Sequence, residues 1–447
     1  MLLYKLFLWL YAGGIRIAAL WNPKARLWAK GRKNWQLVVG SWQSAVSSGQ
    51  LAVGNKHTGV RNPELGDDSE LLANDLKLIW MHCASLGEFE QGRPLLESIR
   101  TIYPHYKIVL TFFSPSGYEI RKNYTGADLV LYLPMDSPAN ANKFIDAINP
   151  SLVLWVKYEY WYYYLTDLKE RDIPVLLISG IFRQSQPFFK WYGGLWKKIL
   201  KNFDHLFVQT KNSEQLLYTI GINENITVTG DTRFDRVVTI AEQWEKLAEP
   251  IEKFCEGHPV IVAGSTWEED EEELIHFARA YPAIRFIFAP HEVSKERIND
   301  LQKEFPQALL YSSLINRQLC TVIHSNVLII DAIGILSRLY RYASIAYVGG
   351  GFNESGIHNI LEAAVYGKPI VFGPEYEKFA EANDLIDAGA AFSFENALEL
   401  EALLNKLLNK PVLLEQSGHI AREYVYKNKG ATEMILNYIQ RKRLLTS

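Results

Sequence analysis

The chain has 447 residues, 48% of them hydrophobic and 22% charged, which is too much for one ordinary core and fits two domains of soluble-like composition. Its three cysteines, Cys83, Cys255 and Cys320, stand far apart without a CxxC pair, arguing against a disulfide framework and offering no metal-site spacing. The formal net charge of -3 conceals an asymmetry: nine cations from Lys5 to Arg61 precede the first acid, Glu64, and the remainder holds 38 basic against 50 acidic residues.

Residues 1–75 read as an arm and linker. The run from Met1 to Trp21 is apolar and aromatic but interrupted by Lys5 and Arg16, so its longest uncharged stretch is about ten residues, short of the roughly 20 that span a bilayer. Lys5 and Arg16 are three helical turns apart and share a face. With the basic stretch Lys24 to Lys33 and Trp21, Trp28 and Trp35, the arm is expected to lie on an anionic membrane surface. A tilted span with snorkelling cations and a buried helix followed by a solvated loop are the alternatives. Arg16 breaks the apolar region and disfavours a signal peptide. Residues 44–75, rich in Ser, Gly, Asn and Asp, read as a linker or surface excursion.

From 76 to 235, apolar runs alternate with helical patterns: Leu78 to Met81, Ile108 to Phe113, Leu129 to Leu133, Leu152 to Val156, Val175 to Ser179, Leu206 to Gln209 and Ile226 to Gly230. This order predicts an α/β domain with a parallel, doubly wound sheet. The first run leads through Ser85 and Gly87 into Glu88, which is placed either as a general base in a cleft or as the dipole partner of a helix N-terminus. Glu159 follows the fourth run. Arg183 follows the fifth, and with Lys190 it either steers an anionic acceptor or sits in a solvated cationic loop. Phe188, Phe189, Trp191, Tyr192 and Trp196 are core or face acyl chains.

Residues 236–257 are charged and helical in pattern and read as an interdomain linker. A second domain, 258–447, opens with Pro259 to Ala263, followed by Gly264, Ser265 and Thr266. These small and hydroxyl residues suit phosphate or carboxylate recognition, or cap the Glu-rich helix behind them. A strand ending in Pro290 and His291 comes next, then Val327 to Ile330 leading to Gly334. The stretch Tyr347 to Pro374 reads strand, Gly349-Gly350-Gly351, polar loop, helix from near His358, and strand. Glycines admit a ligand to the backbone, a helix N-terminus attracts a phosphate, and Glu362 one turn in can accept from ribose hydroxyls. The plainer alternative is a turn whose glycines serve packing.

These residues carry a resemblance. The run GG-x(5)-G-x-HN-x-LE, containing His358, Asn359 and Glu362, resembles the nucleotide-sugar site of GT-B glycosyltransferases, and in detail the Kdo (3-deoxy-D-manno-octulosonic acid) transferases that act on lipid A. Ala84 to Glu88 resembles the family's ASxGE, whose Glu is the catalytic base; TFFSPSG, LPMD and GDTRFD resemble further family segments. Glu159 and Trp161 match ETELWPN, with Lys157 at its first Glu and Tyr162-Tyr163 at its Pro-Asn. Gly264 to Thr266 match GSTH, with Trp267 at the His. Pro290-His291 lacks the arginine of PRH, which Lys295 or Arg297 would have to replace, and Ile335 stands where DTMGEL has Glu.

The resemblance covers about Leu78 to Asp387. It implies a GT-B fold, with two Rossmann-like domains facing a central cleft into which Glu88 and Glu362 look, and a terminal helix returning to the first domain. The implied reaction moves Kdo from CMP-Kdo to a lipid A precursor (lipid IVA) at the cytoplasmic face of the inner membrane. It is inverting and metal-independent, with no cofactor besides the donor and no nucleic acid partner. Glu88 is the implied base. Gly264, Ser265, Thr266, Pro290, His291, Gly334, Gly350, Gly351, His358, Asn359 and Glu362 would bind the donor, and Ser85, Gly87, Glu159 and Arg183 the acceptor. A nucleotide-sugar epimerase of the same architecture and a non-catalytic membrane-associated sugar-binding protein are the rival readings.

Overall fold

The computed structural model describes residues 2–48, 77–316 and 325–446. Most of the expected linker (49–75) and Cys320 lie outside them, and residues 44–47 close a helix. Two units emerge: Met1–Arg233 with Gly430–Ser447, and Phe234–Lys429.

The first unit holds β1 (Leu78–Cys83), β2 (Lys107–Phe112), β3 (Leu129–Tyr132), β4 (Leu152–Val156), β5 (Val175–Gly180), β6 (His205–Val208) and β7 (Ile226–Val228). All neighbours are parallel, in the order β3-β2-β1-β4-β5-β6-β7. Helices cover both faces of such a sheet, so its central strands are continuous apolar runs, and β1 and β4 are buried along their whole length. The chain reverses its direction of winding between β1 and β4. Loops leaving those two strands diverge to opposite faces, which opens a crevice at their carboxyl ends.

The N-terminal arm is neither a detached anchor nor simply a buried helix. It forms α1 (Leu2–Ala18), α2 (Pro23–Gly31) and α3 (Trp35–Ser47). Asn22 caps α2 by accepting from Ala25 N at 3.1 Å, with Pro23 in the first turn. Trp35, Val39 and Trp42, at helical spacing, join Tyr4 and Leu8 in a core with Trp80 and Phe144. The rings of Trp35 and Phe144 lie 5.2 Å apart. Tyr4 Oη donates to Asp136 Oδ2 at 2.6 Å. The outward face of the arm leaves Leu6, Phe7, Trp9, Leu10, Ile17, Leu20 and Trp21 at least half exposed. Among the described residues, no helix is long and apolar enough to cross a membrane.

The second unit repeats the plan with β8 (Val260–Thr266), β9 (Arg285–Pro290), β10 (Leu309–Leu310), β11 (Val327–Ile329), β12 (Ile345–Val348), β13 (Ile370–Phe372) and β14 (Ala391–Ser393), in the order β10-β11-β9-β8-β12-β13-β14. Its switch point lies between β8 and β12. Residues 236–257, read from sequence as a linker, are part of this unit's core: Val237, Val238, Leu247, Ile251 and Phe254 pack with Leu328, Tyr340 and Ile360. Their charges occupy one side of short helices whose apolar side is buried, which a reading of charge alone does not separate. The helix Ala431–Arg441 starts after its N-cap Gly430, which has φ 116°, and belongs to the first unit. There Ile435 and Ile439 pack with Ile79, Leu154 and Phe207.

Candidate functional site

In the first unit, the residues singled out from sequence gather at the β1/β4 switch point. α4 (Leu86–Ile102) starts directly after β1, with Ser85 at its N-cap, and Glu88 falls in its first turn. The Glu88 side chain folds back to accept from Ala84 N and is only 6% exposed. Gly87 is exposed, and a Cβ there would meet nothing within 4 Å. Glu159 follows β4. Its Oε2 accepts from Trp161 Nε1 at 3.0 Å and lies 3.0 Å from His82 Nε2, while His82 Nδ1 lies 2.9 Å from Thr111 Oγ1.

Burial dominates the electrostatics of this group. It pushes Glu159 up to about 8, against the Trp161 hydrogen bond and the Arg32 cation. Burial, then the Glu159 charge, push Glu88 up to about 7, against the backbone N–H of Ala84 and the nearby His82. His82, fully buried, is pushed down to about 3 and is neutral. Two carboxylates near one another cannot both ionise cheaply, so the pair titrates together, and Glu88, in the first turn of α4 at the carboxyl end of β1, is the one placed to act as base.

Arg183 is exposed; its backbone N donates to Gln186 Oε1 at 2.9 Å, and its guanidinium hydrogen-bonds the Tyr158 hydroxyl, whose titration also responds to Glu88. Ser85, Gly87, Glu88 and Glu159 therefore share one crevice, with Arg183 joined to it through Tyr158. Of the aromatic cluster, Phe188 is core, whereas Trp191 is 96% exposed.

In the second unit, Gly264, Ser265 and Thr266 end β8, and Gly349, Gly350 and Gly351 follow β12. The two loops press together, a Cβ on Gly349 standing 2.4 Å from Ser265 O, and the second also meets the loop after β13, where a Cβ on Gly351 would stand 2.5 Å from Gly373 N. Gly350 has φ 94° and donates its N–H to Asp270 Oδ2 at 2.8 Å. Gly264 admits Tyr340, whose Oη would be 2.1 Å from a Cβ. The glycines thus serve close backbone approach at the switch point.

Three rings stack beside them. His291, after β9, lies 4.7 Å from Trp267 and 4.3 Å from His358. Trp267 Nε1 donates to His358 Nε2 at 3.1 Å, and burial, then His291, hold His358 down at about 4. The helix after this loop is only the turn Leu361–Ala364, starting later than the sequence pattern places it. Asn359 Nδ2 donates to Glu362 Oε1 at 3.2 Å and fixes that carboxylate on the turn. Gly334, with φ 92°, is exposed in the loop after β11, and Pro290 closes β9.

Some expectations of role shift. The helix Glu268–Ala280 is capped by Asp270, which accepts from Trp267 N at 2.9 Å, not by Ser265 or Thr266. Thr266 Oγ1 instead donates to Glu271 Oε1 at 2.6 Å, and Glu271 is ion-paired with Arg297. Arg297 is therefore committed to a buried carboxylate, which leaves Lys295, exposed at the start of its helix, as the freer of the two cations considered for the PRH position. Sequence reasoning missed His82 and Arg32 as partners of Glu159, and it met Trp267 only as a mismatch.

Similarity to known proteins follows the same lines. A family model for 3-deoxy-D-manno-octulosonic-acid transferase (kdotransferase) matches residues 54–236. A 3-deoxy-D-manno-octulosonic acid transferase of Haemophilus influenzae is 27% identical, over 81% of this chain and 86% of that protein. One from Aquifex aeolicus is 26% identical, over 78% and 92%. A bifunctional glycosyltransferase/methyltransferase of Fusobacterium nucleatum is 26% identical over 75% of this chain, which spans about half (53%) of that longer relative. Among solved structures, UDP-GlcNAc 2-epimerase from Neisseria meningitidis superposes with a TM-score of 0.57 at 17% identity, covering 82% of this chain and all of the other. A glycosyltransferase from Rickettsia africae gives 0.53 at 16%, covering 83% and 100%. With two parallel seven-stranded sheets, the fold is GT-B.

Proposed function

We propose that this chain, similar to 3-deoxy-D-manno-octulosonic acid (Kdo) transferases over about four fifths of its length, is a member of that family and moves Kdo from CMP-Kdo to a lipid A precursor such as lipid IVA, by an inverting, metal-independent displacement at the cytoplasmic face of the inner membrane. Glu88 takes the proton from the primary hydroxyl of the acceptor. The hydroxyl oxygen attacks the anomeric carbon of Kdo from the face opposite the phosphate, and the bond to CMP breaks with its electrons on the leaving phosphate. The neutral His358, beside the glycine loop, stabilises that charge, and Glu362 holds the ribose.

The observation that carries the reading is Glu88 itself: a buried carboxylate at the carboxyl end of β1, raised to about 7, in the range where a general base works best. The exposed apolar face of α1 and the cations of the arm favour an acceptor presented at a lipid surface. The test is incubation with CMP-Kdo and tetraacyl lipid A, followed by the mass of the product lipid. A lipid heavier by one or more Kdo residues is expected. Unchanged lipid, with CMP-Kdo neither consumed nor bound, would sink the reading. Epimerised nucleotide sugar in the absence of lipid would point to the epimerase reaction instead.

A further inference from the structure

The arm reaches the carboxylates of the first unit through one side chain. Arg32 follows α2, and its Nη1 donates to Trp28 O at 2.9 Å, its Nε to Leu133 O at 2.9 Å and its Nη2 to Phe113 O. Phe113 and Leu133 are the residues immediately after β2 and β3, so a single guanidinium ties the arm to the carboxyl ends of two strands. It also lies over three rings, 3.9 Å from Trp28, 4.5 Å from Phe113 and 5.0 Å from Tyr132. The contacts do not stop there. The Phe113 ring leans on Trp161 at 4.8 Å, and Trp161 Nε1 holds Glu159 Oε2, the atom that also meets His82.

A staple for the arm would need only the carbonyl contacts. The continuation through Phe113 and Trp161 orients the indole that fixes Glu159, and the field of Arg32 lowers Glu159. We propose that Arg32 is a positioning residue for the Glu159–His82 pair, so that docking of the N-terminal arm completes the catalytic end of the first unit. The inference rests on the proposed role of Glu88 for its catalytic consequence, while the coupling of Arg32 to Glu159, carried by the Phe113 and Trp161 contacts, is independent of that role. The groups facing Glu159 are Arg32 from the arm, Tyr11 from α1, His82 and Cys83 from β1, Glu88 from α4 and Trp161 from its own loop. Of these, Arg32 is the one cation at pH 7: burial pushes it down to about 9, while His82 is neutral.

The test compares Arg32→Met and Arg32→Lys in the full chain, following the carboxyl carbon of Glu159 by NMR against pH, with Glu159→Gln for assignment. In Arg32→Met the Glu159 titration should move upward and kcat at pH 7 should fall about tenfold, with KM for the donor within about twofold. Arg32→Lys, which keeps the charge and loses the planar fork, should restore the titration and only part of kcat. Should Arg32→Met fail to fold, Phe113→Leu removes the ring between Arg32 and Trp161 and should lower kcat in the same way. An unmoved Glu159 titration in a folded Arg32→Met, or a deficit that vanishes with detergent-dispersed acceptor, overturns the proposal. A moved titration in a protein that transfers no Kdo leaves the coupling standing and sinks the reaction instead.

Discussion

Trp267 Nε1 donates to His358 Nε2 across 3.1 Å, and since an indole N–H only donates, the proton of the neutral imidazole resides on Nδ1. A neutral Nδ1–H keeps the same hydrogen-bonding state throughout the working pH range, because burial and His291 hold the ring down at about 4. Trp267→Phe preserves a flat ring beside His291 but removes the donor. The expected result is a mixture of His358 tautomers, read from its ring nitrogen shifts. CMP affinity should weaken about fivefold, the worth of roughly one neutral hydrogen bond.

A base must be ionised to act, so transfer should fall as pH drops through about 7, the value to which burial and Glu159 raise Glu88. Glu88→Gln should cost about 10²–10⁴ in kcat while CMP-Kdo binding is retained. Glu159→Gln removes the neighbouring charge that helps raise Glu88, and the acid limb of the kcat–pH profile should shift to lower pH. A limb that stays at 7 in that variant would show the two carboxylates to be independent.

Stability carries a second signature of the same pair. Glu159 titrates near 8 in the folded protein and near 4.5 when exposed, so between those values the folded state binds the extra proton. Its stabilising contribution is complete below about 4.5 and is lost as pH rises through 8. Glu159→Gln, which cannot ionise, should match the parent at pH 5 and melt higher at pH 9. The expected gain in Tm is about 2 to 4 °C, the shift that about 1 kcal/mol gives a unit of this size. Equal melting temperatures at pH 9 would contradict the assignment.

The sheets were legible because each central strand is a short, unbroken apolar run, as β1 and β4 show, and the glycines were legible because Gly349 to Gly351 stand together at a strand end. The order of apolar runs and helical patterns also put Glu88 and Glu362 near strand-to-helix junctions, although the helix carrying Glu362 starts at Leu361 and not near His358. Contacts between distant segments left no local trace. Nothing near Arg32 marks it as a partner of carbonyls 81 and 101 residues away, and the inward face of the arm looks like an amphipathic membrane helix until Trp35 and Trp42 find Phe144. Trp267 was visible only as a departure from a motif; its role depends on the approach of His291 and His358, from two other loops.

Gly349 offers a steric test of the second unit. Its backbone passes so close to β8 that a methyl group would lie 2.4 Å from Ser265 O and 2.7 Å from Thr266 Cα, both backbone atoms that cannot rotate aside. Gly349→Ala must therefore part the ends of β8 and β12. A loss of about 1 to 3 kcal/mol is expected, with weakened nucleotide binding, since the same two loops form the switch-point crevice. Gly87→Ala is the matched contrast: nothing lies within 4 Å of its Cβ, and denaturant melting should change by no more than about 0.5 kcal/mol.

The arm makes opposite predictions on its two faces. Trp35 is buried against Phe144, and truncating it to Ala should cost about 3 to 5 kcal/mol, because a cavity is left beside Trp80 and Phe144. Trp9 and Leu10, 72% and 56% exposed, bury little within the protein, so Trp9→Ser with Leu10→Ser should leave the melting temperature nearly unchanged. If this face enters a lipid surface, the same double variant should bind anionic vesicles at least about tenfold more weakly, since each large apolar side chain contributes about 1.5 to 3 kcal/mol on burial. Sedimentation with vesicles at low and high salt separates the contributions. Raising salt should weaken the attraction of the arm's cations in parent and variant alike, while the difference between them, being apolar, should persist. Equal vesicle binding by the two proteins would remove the lipid surface from the proposed function and leave α1 as a packing element of the first unit.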